Sequence, residues 1–133
     1  MESLVTPIYV ALIAILMAVL SSQTAMARRR NRIALGDEGN AELVLASRRF
    51  GNLIEYAPIM LLLLFFMELQ GIASVWLHLY GAVFVLLRII HAISLFGTLK
   101  VPEWKRIGRT ISAGGTMLML LIGAAVNLIA ALG

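Results

Sequence analysis

Four long apolar segments, residues 4–27, 43–69, 72–96 and 107–132, account for most of this chain of 133 residues. Each reaches or exceeds the ~20 residues that a helix needs to cross a ~30 Å hydrocarbon core. Lipid offers no hydrogen-bond partner to an open backbone, so such segments must be helical. At 61% hydrophobic and 14% charged residues, a chain of this length could not hide its apolar surface in a soluble core. The expectation is a single all-α domain, residues 1–133, built as a four-helix transmembrane bundle. No room is left for a separate soluble domain.

The eleven Lys and Arg residues are not spread evenly. Arg28, Arg29, Arg30, Arg32, Arg48 and Arg49 lie between the first two spans or at their ends, and Lys100, Lys105, Arg106 and Arg109 between the third and fourth. Arg88 lies within the third span. The amino terminus and the second connection carry no Lys or Arg. The positive-inside rule then puts both basic loops in the cytoplasm and both termini outside, as in a multi-pass membrane protein. The isoelectric point near 10.1 is read as topology and contact with anionic lipid, with no nucleic-acid partner, since no aromatic-interleaved basic surface accompanies the charge.

Ala25-Met26-Ala27 resembles a signal-peptidase site. The acidic leader of residues 1–3, the long apolar run and the arginines that follow it argue for a retained first span. There is no cysteine, so disulfides and a protein thiol nucleophile are excluded. Gly36-Asp37-Glu38-Gly39-Asn40 is a turn-rich run that offers capping side chains to the second span, and its acids are placed to meet the arginines before it. The connection around Gln70-Gly71 is short enough to make spans two and three an antiparallel hairpin. Trp104 suits the interface, and Gly108, Gly114, Gly115 and Gly123 give span four a surface for close helix contact.

Arg48, Asn52 and Glu55 stand at i, i+4 and i+7, so a helix presents them within about 60° of one another as one polar stripe. Such side chains are expensive at membrane depth and turn to a partner or a wet cavity. The stripe is about 10 Å long, which matches a small peptide-like ligand with both amine and carboxylate groups. Glu55 can accept from an ammonium, Arg48 can grip a carboxylate, and Asn52 can do either. An internal ion pair that merely satisfies Glu55, or a device for helix register, remains the alternative. Pro58 follows inside the helix and is expected to bend it.

Arg88 and His91 share a face of span three. Arg88 lies at a depth that would allow a pair with Glu55. His91 by itself reads as a hydrogen-bonded packing residue. Lys105, Arg106 and Arg109 surround the start of span four, where helix dipole and cations together stabilise an anion. Lys105 reads as a snorkelling anchor, and Arg106 or Arg109 as a cation able to approach the span-two stripe. No His, Asp and Glu cluster has metal-ligand spacing, so no metal is expected.

The run Arg48, Asn52, Glu55-Tyr56 and Pro58 resembles the second-helix signature of the membrane-associated proteins in eicosanoid and glutathione metabolism, the MAPEG family. Gly36-Asp37-Glu38-Gly39 is similar to the Gly-Asp-x-Gly loop of its short bacterial members, and Arg88 with His91 to its third-helix pattern. The resemblance implies a homotrimer of four-helix subunits with glutathione bound between neighbours near the cytoplasmic face. It implies contacts to glutathione from Arg48, Asn52, Glu55, Tyr56, Arg88 and His91, and a thiolate stabilised by Arg106 or Arg109 in a catalytic role. Many eukaryotic members carry a tyrosine a turn after the His91 position, where this chain has Leu95.

Three functions stay open at this point. A microsomal glutathione transferase-like detoxification enzyme would conjugate glutathione to lipophilic electrophiles and reduce lipid hydroperoxides. A non-catalytic member of the same fold would hold lipid or glutathione without turnover. A small multidrug transporter would need an unpaired carboxylate deep in the first span, and residues 4–27 contain no acid.

Overall fold

The computed structural model describes residues 4–97 and 101–133. Lys100 of the second basic cluster and the acidic leader of residues 1–3 lie outside the described residues. The described chain is four helices without strands: α1 (Thr6–Asn31), α2 (Ala41–Leu69), α3 (Ser74–Ser94) and α4 (Glu103–Leu132). All four are long and apolar enough to cross a membrane. They run up and down, so that the end of α1, the start of α2, the end of α3 and the start of α4 meet at one end, here called the basic end.

Each helix boundary has a local cause. Pro7 opens α1, where its missing N–H costs nothing. Val5 supplies no side-chain cap, and instead Glu68 at the far end of α2 accepts from the backbone N–H groups of Val5 and Thr6. α1 continues past the apolar run to Asn31, because Arg28, Arg29 and Arg30 are good helix formers and favour the carboxyl end of the dipole. Asn40 caps α2 by accepting from the Leu43 N–H at 3.1 Å, as its turn-rich context predicts. The acid that meets the arginine run is Glu42 rather than a loop acid. It pairs with Arg30 and accepts from Asn31 at 2.9 Å, while Asp37 bonds the Gly39 N–H inside the turn. Gly71, at φ 76°, makes the tight α2–α3 turn. α2 runs unbroken through Pro58.

α3 is shorter than the apolar segment 72–96, and α4 begins at Glu103, four residues before the apolar run, immediately after Pro102. The core is a column of Ile13, Leu53, Met60, Leu64 and Phe84. α4 buries only Ser112, Thr116, Met119 and Gly123, a narrow stripe at helical spacing. At Gly123 an added Cβ would lie 3.0 Å from the Tyr80 ring, so glycine sets the closeness of α3 and α4. The exposed side of α4, which includes Leu118, Leu121 and Ile129, faces outward. Those apolar side chains need no protein neighbour in a hydrocarbon solvent.

Candidate functional site

At the basic end, a crevice of about 480 Å³ opens between α2, the end of α3 and the first turns of α4. That volume falls in the ordinary range for a small-molecule site. Arg48, Asn52 and Glu55 line it from α2, His91 and Leu95 from α3, and Arg109 from α4. The helical stripe read from spacing is therefore one wall of a cavity, and the opposite wall supplies a second guanidinium.

Arg88 stands behind this wall, bonded to Asn52, and is not itself among the residues that line the crevice. Only 2% exposed, it donates through Nη1 to Asn52 Oδ1 at 2.5 Å and through Nη2 to the Ser112 carbonyl at 3.1 Å and to Thr116 Oγ1. Its Nε has no partner among the described residues. The Arg88–Glu55 pair expected from depth does not form there: the ion pairs are Arg30–Glu42 and Arg106–Glu103. Arg88 turns inward to the Ser112–Thr116 face of α4, whereas Glu55 sits on the exposed edge of α2. Among the described residues this buried cation is thus held by neutral oxygens and by the rings of Tyr56 and Phe84, with no carboxylate paired to it.

Among the described residues Glu55 and Arg48 make no hydrogen bond and no ion pair with other side chains. An internal pair that satisfies Glu55 is not the arrangement found. Arg109 makes one bond, from Nε to the Ser94 carbonyl at 3.1 Å, which fixes its guanidinium against the end of α3. Arg106, three residues earlier, points elsewhere and pairs with Glu103 at 3.3 Å. Of the two span-four arginines, only Arg109 reaches the crevice. Lys105 donates to the Phe96 carbonyl and so ties the third connection down.

Tyr56 is not part of the lining. One residue beyond Glu55, it is rotated about 100° around the helix, and its ring lies 5.5 Å from the Arg88 guanidinium. It packs against Arg88 rather than facing the cavity. Several participants escaped the sequence reading. Ser47 and Gly51 line the crevice, and Ser112 with Thr116 anchors Arg88. The signal for the last two was present, since they stand at i and i+4 on the small-residue face of span four.

Charged and amide side chains at the basic end of a four-helix bundle define a multi-pass membrane protein with a polar crevice. The chain matches the MAPEG family over residues 6–126, and it belongs to that family. It is 33% identical over 118 residues to the inner membrane protein YecN of Escherichia coli strain K12, covering 89% of this chain and 88% of the relative. YecN of Escherichia coli O6:H1 matches to the same extent. No solved structure matches significantly.

Proposed function

We propose that the protein is a membrane glutathione S-transferase that joins glutathione to lipophilic electrophiles, with reduction of lipid hydroperoxides as a further activity. The observation that carries this reading is the set of unpartnered groups on one crevice: Arg48 and Glu55, with Arg109 holding only a backbone carbonyl. Their charges match a tripeptide with an ammonium and two carboxylates. Glu55 takes the ammonium, Arg48 a carboxylate, and Asn52, already held by Arg88, offers its amide nitrogen to a second acceptor.

An ordinary thiol has a pKa near 8.5, so only a few per cent is thiolate at neutral pH. Arg109 is the cation assigned to lower it. The electrophile partitions from the acyl-chain region and meets the thiolate at high effective concentration. The sulfur attacks the electrophilic carbon and displaces its leaving group, and the thiol proton goes to water. In this reading the basic end is cytoplasmic, both termini are outside, and the working unit is a homotrimer whose neighbours close the open side of the crevice.

Leu95 favours a second reading. It lines the crevice where a hydroxyl would assist the thiolate, which suits a member that binds glutathione without turnover. Adding glutathione to the detergent-solubilised protein separates the two: a rise in ultraviolet thiolate absorbance is the enzyme's signature. Conjugation of a chlorodinitrobenzene-type acceptor should follow. Binding with neither signal leaves the non-catalytic reading, and absence of binding defeats both.

A further inference from the structure

On an adjoining face of α2 a second crevice of about 580 Å³ opens at the basic end between α1, α2 and the end of α3. It shares only Leu45 with the first. Gln23 and Met26 line it from α1, Arg49 from α2, and Phe96 from the α3 end, with the Arg30–Glu42 pair at its mouth. Arg49 is 8% exposed. Its guanidinium stacks 3.7 Å from the centre of the Phe96 ring and donates through Nη1 to the Leu95 carbonyl at 3.3 Å. Its Nε and the Gln23 Oε1 are buried with no hydrogen-bond partner among the described residues. A buried cation with spare donors and a buried acceptor on one cavity form a built polar site, because such groups are rarely left unpaired.

The ligand chemistry follows from that donor set. Arg30, Arg49 and Glu42 together leave one net positive charge, which matches a monoanion. Arg49 asks for an acceptor anion, while Gln23 Oε1 asks for a hydroxyl or amine donor on the same molecule. The depth selects its source. α3, 21 residues long, spans about 32 Å, close to the thickness of the hydrocarbon core. Arg49 binds the carbonyl just beyond its last residue, and so lies at the boundary where lipid phosphates reside. From Met26 an exposed apolar stripe continues down α1 through Val19 and Ile15, at spacings that keep one face and give acyl chains a track.

We propose that this crevice is a specific site for the phosphodiester of an anionic glycerophospholipid, with Arg49 on the phosphate and Gln23 accepting from a headgroup hydroxyl. It is separate from the glutathione reading, since Gln23 and Arg49 line this cavity and not the first. An attached lipid would brace α1 against α2 at the level of the α3 end.

Native mass spectrometry and thermal unfolding of the intact solubilised protein, titrated with phosphatidylglycerol, phosphatidylcholine, glycerol 3-phosphate or inorganic phosphate, test it. Phosphatidylglycerol should be retained and raise the unfolding temperature, whereas phosphatidylcholine and both free phosphates should not. Gln23→Leu should weaken phosphatidylglycerol retention about tenfold, the effect of losing one buried hydrogen bond, and leave the glutathione response unchanged. Arg49→Lys, which keeps the charge but loses the fork, should weaken it as well. Equal retention of the two lipids, or parental retention in both variants, overturns the proposal. A shift with free phosphate as large as with the lipid overturns the lipid source.

Discussion

Arg88 on α3 and Asn52 on α2 are joined by a 2.5 Å hydrogen bond that sets the amide of the polar stripe through a buried guanidinium. The bond fixes which way Asn52 faces: with Oδ1 committed to Arg88, its Nδ2 is left to donate into the crevice. Arg88 in turn is held by Ser112 and Thr116, so α4 governs the polarity of a residue on α2 that it need not touch.

Replacing Asn52 separates binding from stability. Asn52→Ala removes one of three oxygens around a buried cation and should cost about 1–3 kcal/mol in unfolding free energy. Asn52→Asp supplies a carboxylate to Arg88 and should recover the thermal stability. Glutathione affinity should nevertheless fall in Asn52→Asp by about tenfold or more, since the donor is gone and a negative charge faces an anionic ligand. Thermal unfolding with and without glutathione reads both effects. Parental affinity in Asn52→Asp would remove the amide from the site.

The two span-four arginines should behave differently. Arg109→Ala is expected to lower the turnover of an aromatic electrophile by about tenfold or more, each unit of thiol pKa being worth about 1.36 kcal/mol. Arg106→Ala should leave turnover within about twofold, because an exposed i,i+3 pair contributes little. Rate against pH gives the sharper test, since loss of the activating cation moves the thiol titration to higher pH. If the Arg106 variant is the slower one, the crevice has been assigned to the wrong arginine.

Glu68 and α1 give a prediction remote from the proposed site. Its carboxylate caps α1 from another helix, so Glu68→Ala should cost about 1 kcal/mol, the usual worth of a lost cap. Glutathione binding should be untouched, because the opposite end of the bundle is affected. Circular dichroism during thermal unfolding measures the first, and a glutathione titration the second.

The sequence disclosed these features unequally, for physical reasons. Hydropathy reports which side chains lipid tolerates, and it located all four spans. It does not report where helices stop. α1 runs on through the arginines to Asn31, and the apolar Leu95 and Phe96 lie beyond α3, where they serve Arg49. The Arg48, Asn52 and Glu55 stripe was legible because a single helix fixes its geometry. The partner of Arg88 was not, since depth alone leaves rotation about the helix axis undetermined. Charge alone groups Arg49 with Arg48 and the other cations between the first two spans or at their ends. Only the packing of three helix ends separates their two cavities.

Gly51 offers the cleanest probe of the crevice itself. It lies between Arg48 and Glu55 on the lining, and an added Cβ there meets nothing within 4 Å. Gly51→Ala should therefore be accepted and should stabilise α2 by about 0.5–1 kcal/mol, because glycine in a helix interior carries excess conformational entropy. Gly51→Trp should also fold, its ring projecting into open space, but would fill volume that a tripeptide needs. The expected pattern is an intact unfolding transition in both variants, near-parental glutathione affinity in the alanine variant, and loss of binding in the tryptophan variant. Undiminished binding in a folded Gly51→Trp protein would place the ligand outside this crevice, whatever the effects of the charged residues around it.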